Sequence, residues 1–194
     1  MKTQYYTATS LDGFLATEDD SIEWLFTLGD LNDTGYSDFI ANVGALAMGA
    51  STYLWLMDHA EQVAAETGSP WPYSQPTWVF THRTLPQVPN ADVRFVQGDV
   101  RPVHAEMARA AGSKNLWIVG GGDLAAQFHD AVLLTEAIIT VASVTLGKGK
   151  PLFPRRVTNP PWKLVSVRQI GAGLAELRYE LPEPTARDAP RVPA

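Results

Sequence analysis

The chain contains no cysteine, which excludes disulfides, thiolate metal sites and a cysteine nucleophile, and with them any reading of compartment from redox chemistry. Positive charge is scarce. Fifteen Lys and Arg stand against 21 Asp and Glu, a formal net charge of −6 over 194 residues. An average field of that sign repels phosphate backbones and anionic membranes, so neither nucleic acid nor a membrane is an expected partner. Long apolar runs are also missing: no stretch of about 18 residues could span a bilayer, and Met1 to Tyr6 lacks the apolar core of a secretory signal. The expectation is a soluble, cytoplasmic protein. No metal site is expected and no internal repeat is visible. With 45% hydrophobic residues, residues 1–181 suffice for one domain with a sizeable core. Pro182, Pro184, Pro190 and Pro193 deny regular structure to a proline-rich tail over 182–194.

What the chain does have is a stretch that organises the rest. Leu116 to Val119 is a short apolar run without alternation, as in a strand buried on both faces; Gly120, Gly121 and Gly122 interrupt it, and Asp123 and Leu124 open a helical pattern. Three glycines leave the backbone bare, and the amides at the helix start can bind an anion such as a pyrophosphate. A tight strand-to-helix turn that binds nothing has the same signature.

Similar junctions recur along the chain. Lys2 to Thr9 reads as a first strand, ending at Ser10-Leu11-Asp12-Gly13, with Phe14 to Ala16 continuing it after a kink. Asp12 before Gly13 is a common turn pair. Glu18-Asp19-Asp20 reads as a solvated loop, and Ser21 is placed to cap a short turn carrying Trp24 and Leu25. Tyr36, Phe39, Ile40 and Val43 recur at helical spacing over 35–43. Ala45 to Met48 is a second strand, followed by Gly49-Ala50-Ser51-Thr52 and a helix; Ser51 or Thr52 suits a helix cap or a ligand contact. A third strand over 77–81 leads into His82 and Arg83, a cationic pair beyond a carboxyl end, where ligands of open α/β sheets gather. Val93 to Val96, a helix over 103–111, a strand over 137–141, a glycine-punctuated loop over 146–153 and a hairpin around Gly171-Ala172-Gly173 complete the pattern. Strands alternating with helices predict an α/β fold of three layers: a mixed, mostly parallel central sheet, helices on both faces and a C-terminal antiparallel hairpin.

Three strand ends thus carry ligand-compatible groups: Gly49 to Thr52, Thr81 to Arg83, and Gly120 to Leu124. Together they suggest a dinucleotide groove, although the glycines are not spaced as in G-x-G-x-x-G and no suitably placed acidic residue follows them. Ser10-Leu11-Asp12-Gly13, Met48-Gly49-x-x-Thr52-Tyr53, Thr81-x-Arg83, Val119-Gly120-Gly121-Gly122 and Leu146-Gly147-x-Gly149-x-Pro151-Leu152-Phe153 occur in that order. In this the chain resembles the dihydrofolate-reductase-like superfamily, specifically the branch similar to the C-terminal reductase domain of the bifunctional riboflavin-biosynthesis deaminase/reductase.

The resemblance covers about residues 2–181. It implies NADPH as cofactor, with phosphates on Gly49, Ser51, Thr52 and the turn Val119-Gly120-Gly121-Gly122-Asp123-Leu124, and with Thr81, His82 and Arg83 at an adenosine 2′-phosphate. Members often carry a basic residue between Gly49 and Thr52, where this chain has Ala50 and Ser51. It also implies a homodimer and a catalytic carboxylate: Asp33 and Asp38 are the candidates for a proton donor, and Asp12, whose loop approaches the substrate ribose and nicotinamide in the riboflavin branch, is the preferred polar site residue. Trp24, Phe26, Tyr36 and Tyr53 are candidate pocket walls. A zinc deaminase module of the His/Cys/Cys type is excluded by the missing cysteines. The expected activity is that of a stand-alone NADPH-dependent reductase acting on a small heterocyclic or carbonyl-like substrate. The alternatives are a non-catalytic dinucleotide-binding module and a structural homodimer.

Overall fold

A computed structural model describes residues 1–26, 28 and 35–182 of the chain. The elements run β1 (Thr3–Thr9), β2 (Phe14–Ala16), α1 (Glu23–Phe26), α2 (Tyr36–Ala41), β3 (Val43–Gly49), α3 (Ala50–Asp58), α4 (Ala60–Thr67), β4 (Thr77–Phe80) and β5 (Val93–Val96). They continue with α5 (Val100–Ala111), β6 (Asn115–Gly120), α6 (Gly122–Asp130), β7 (Glu136–Ala142), β8 (Lys150–Pro151), β9 (Lys163–Ile170) and β10 (Leu174–Glu180).

Eight strands form one sheet in the order β5-β4-β3-β6-β1-β7-β10-β9. The first six are parallel, and the hairpin β9–β10 closes the β7 edge antiparallel. Parallel strands need both faces covered. On one face Val103 and Met107 of α5 and Leu124, Ala125 and Phe128 of α6 pack against Tyr5, Ala47, Ile118 and Ile139. On the other, Tyr53 and Leu56 of α3 and Val63 of α4 pack against Met48 and Val79, while Phe39 and Ile40 of α2 cover Val43, Leu46 and Trp117. This is the three-layer arrangement expected from the sequence.

Three boundaries differ from the sequence reading. Phe14 to Ala16 does not continue β1. The Ser10 Oγ accepts the Phe14 amide at 3.0 Å, Gly13 turns at φ +86, and β2 leaves to pair antiparallel with β8 in a separate small sheet. The loop over 146–153 therefore contains a strand, invisible as a run because it is two residues long. Val43 belongs to β3 rather than to the preceding helix, since Asn42 caps α2. Helix α5 starts three residues earlier than its periodicity indicates, because the Asp99 carboxylate accepts the Arg101 amide at 2.9 Å and Pro102 is tolerated in the first turn.

Candidate functional site

The parallel strands β3 and β6 are neighbours, and each is followed at once by a helix: Gly49 leads into α3 and Gly121 into α6. Neither helix start carries a side-chain cap. Ser51 and Thr52 thus do not fulfil the capping role, and the first amides of two helices stay available, side by side, for an acceptor from outside the chain. The helix dipoles add partial positive charge at the same place.

These junctions line one cavity of about 580 Å³. Gly49, Ser51, Thr52 and all of Val119 to Leu124 border it, as the sequence predicts; Phe80, at the end of β4, extends it to one side, and Thr7 and Ala8 of β1 to the other. The three glycines have different reasons to be glycine. A Cβ on Gly122 would collide with the carbonyl oxygens of Pro151 and Leu152, so that residue is demanded by close backbone crossing. A Cβ on Gly120 would come within 3.1 Å of Thr52 Oγ1, whereas one on Gly121 would meet nothing within 4 Å. Gly121 alone presents bare backbone to open space.

The remaining expectations separate. Thr81, His82 and Arg83 follow Phe80 but do not border the cavity; Thr81 Oγ1 accepts the Arg83 amide at 2.9 Å, His82 Nδ1 lies 3.2 Å from Gln97 Oε1, and Arg83 is exposed, with no ion pair among the described residues. Asp12 stands outside the lining. Its carboxylate accepts the Ser10 hydroxyl at 2.6 Å and the Gly147 amide at 2.7 Å, with Leu146 N at 3.1 Å, and the Ser10 hydrogen bond leads in holding it below the usual carboxylate range. A carboxylate so held ties the loop of Ser10 to that of Leu146 and Gly147. Asp38 lines a second cavity, of about 430 Å³, shared with Gln4 and Asn115 near the amino ends of β1 and β6. Asp33 lies outside the described residues.

Several lining residues escaped the sequence reading. Asp20, from the acidic loop, borders the cavity and lies 3.6 Å from Lys150, while Glu18 pairs with Lys148 at 2.5 Å, so that loop is fastened to the β8 loop. Trp55 lines the cavity, four residues after Ser51 and so on the same helix face, and stacks on Phe26 of α1 with centroids 6.2 Å apart. Of the aromatic walls anticipated, Trp24 borders the cavity, but Tyr53 is fully buried against Phe95 and Tyr36 packs beside Tyr6 and Trp117. Tyr73 lines it too; burial, and then the neighbouring Tyr36, push its phenol far up, so it remains a neutral hydrogen-bonding group.

Comparison with known proteins places this geometry. The model of the RibD C-terminal domain family matches residues 57–175. The uncharacterized protein YwjB of Bacillus subtilis (strain 168) is 35% identical over 179 residues, 92% of this chain and 97% of that protein. Among solved structures, a protein from Shewanella sp. PV-4 described as a candidate riboflavin biosynthesis protein is 28% identical with a TM-score of 0.73, covering 93% of this chain and 98% of that one. Dihydrofolate reductase from Enterococcus faecalis, complexed with NADP(H), shares the fold at a TM-score of 0.57 and 16% identity, over 92% of this chain and 95% of that one. The match to one family model over most of the chain, together with a relative of this similarity along nearly its whole length, makes the chain a member of the reductase-like RibD C-terminal domain family.

Proposed function

We propose that this protein is a stand-alone NAD(P)H-dependent reductase, and that the cavity at the ends of β3 and β6 holds the dinucleotide. One observation carries the reading: two uncapped helix starts, on adjacent parallel strands, open into a single cavity. That arrangement fits a pyrophosphate, because backbone amides and two dipoles supply donors without any cationic side chain. The bare Gly121 gives the phosphate oxygens room to approach. Ser51 and Thr52 would supply hydroxyls to the same group. Arg83 would meet a 2′-phosphate, which gives NADPH its preference over NADH.

The cofactor, when bound, supplies a hydride, that is, one hydrogen with two electrons. Reduction of one C=N or C=O bond of the acceptor would take up that hydride together with one proton from solvent. The chain's part is to position and to exclude water: Leu15, Ile22, Leu25 and Trp55 wall the β1 side of the cavity. A second reading, a non-catalytic dinucleotide-binding module, is favoured by the state of the carboxylates. Asp20 pairs with Lys150 and Asp123 with Arg155, so both acids lining the cavity face a cation.

Tryptophan quenching with NADPH and with NADH tests the reading. NADPH is expected to bind at least tenfold more tightly, and Arg83→Ala to remove that margin. Absence of binding up to about millimolar nucleotide, roughly 4 kcal/mol of affinity, would dismiss both readings; binding without turnover of any small carbonyl or heterocyclic acceptor would leave the module.

We extend the proposal to assembly as a homodimer. Strand β9 is one of the two edge strands of the sheet and leaves Leu164 50%, Val165 47% and Val167 62% exposed, an apolar edge that isolated domains ordinarily protect. Sedimentation equilibrium is expected to give twice the 21.2 kDa chain mass, and Val167→Lys to shift the species toward monomer; a wild-type monomer at micromolar concentration would end the proposal.

A further inference from the structure

The dinucleotide reading leaves open what the other end of the cavity accepts, and there the side chains rather than the backbone set the chemistry. Beyond β6, the walls come from Leu15 and Ala16 of β2, from Ile22 and Leu25 around α1, and from Trp55 of α3. All are apolar or aromatic. Four cations of the chain lie near this end in sequence: Lys148, Lys150, Arg155 and Arg156. The structure accounts for each. Lys148 is paired with Glu18 at 2.5 Å and Lys150 faces Asp20 at 3.6 Å. Arg155 is held by Asp130 at 2.8 Å and Asp123 at 3.2 Å, and Arg156 does not border the cavity. Lys150 is the one cation among the described lining residues, and it shares that lining with Asp20 and Asp123.

A phosphate monoester entering here would bring about two negative charges at pH 7 beside the Asp20 carboxylate and would have to compete with it for Lys150. Burial of an unpaired charge against apolar walls is disfavoured. A planar, uncharged ring meets none of these penalties and can lie against the apolar wall residues, beside a Trp55 indole already stacked on His59 at 4.2 Å and Phe26 at 6.2 Å. Resting on the reductase reading above, we infer that the acceptor of this enzyme is a neutral, planar, unphosphorylated compound, and that the cavity discriminates against phosphorylated or carboxylated analogues. Asp20 acts as the specificity residue, because it neutralises the cation an anionic substrate would need.

Calorimetric titration with two matched probe pairs tests this: quinoxaline against quinoxaline-2-carboxylate, and uridine against uridine 5′-monophosphate, on the protein alone and on protein saturated with NADP⁺. The neutral member of each pair is expected to bind at least tenfold more tightly. Asp20→Asn, which releases Lys150, is expected to bring the anionic member to within about threefold of the neutral one. Equal or tighter binding of the anionic members by the wild-type protein would overturn the inference, as would failure of all four probes to bind at millimolar concentration. Failure of NADP⁺ alone to bind would instead sink the dinucleotide reading, and the probe comparison on the free protein would still stand.

Discussion

Two sets of backbone amides at strand ends behave oppositely in this molecule. At Leu146 and Gly147, just past β7, the amides converge on a carboxylate that the chain supplies itself, that of Asp12. At the starts of α3 and α6, past β3 and β6, the amides converge on a cavity and no side chain caps them. The donor chemistry is the same in both places. A concavity of amides filled by the chain's own anion is architecture; one left without an internal anion is where an external anion belongs.

The glycine pair at α6 gives the largest effect that can sharpen this contrast. Gly122→Ala drives a methyl into the Pro151 and Leu152 carbonyls, so it should cost about 1–3 kcal/mol of stability, read as a melting temperature lower by roughly 3–10 °C. Gly121→Ala places its methyl in open space on extended backbone, at φ −91 and ψ −172. It should change stability by less than about 0.5 kcal/mol and yet weaken NADPH binding at least tenfold. If the Gly121 variant binds NADPH normally, these amides do not face a phosphate and the contrast collapses.

The smaller effect comes from the filled concavity. Since the Asp12 carboxyl is held below its unfolded value, near pH 3.9, its contribution is fully present above about pH 4 and is lost as pH falls through the lowered folded value. Asp12→Asn should therefore lower the urea midpoint at pH 7, and the gap to the wild type should close in acid. A gap that persists unchanged at pH 2 would mean that shape, not charge, holds the loops. Cofactor affinity at neutral pH should move little, because Asp12 does not border the cavity.

Much of the sheet was legible because its signals are local. The unalternating runs at Ala45 to Met48 and Leu116 to Val119 mark strands covered on both faces, and the glycines after them mark the junctions. The cavity-lining residues on those junctions were legible for the same reason. The opposite wall was not. Asp20 borders the cavity only because β2 pairs with β8, and a two-residue strand has no periodicity to detect. The tie that Asp12 makes between two loops was not legible, because its partners, Leu146 and Gly147, lie 134 and 135 residues away in sequence. Trp55 was within reach: spaced four residues after Ser51, it shares a helix face with a residue already assigned to the cavity.

Strand β1 lies in the middle of the sheet, between β6 and β7. Its neighbours are made late: β1 ends at residue 9 and β6 begins at residue 115, 106 residues later. At synthesis rates of about 5–20 residues per second, the strand waits on the order of 5–20 s with both edges unpaired. A Val- and Ile-rich segment exposed for that time would invite pairing with other chains. The sequence Thr3-Gln4-Tyr5-Tyr6-Thr7-Ala8-Thr9 contains neither residue; it keeps β propensity through threonine and tyrosine while carrying hydroxyls that water can solvate. The central strand of the sheet thus gains its two parallel neighbours only after more than a hundred further residues are made.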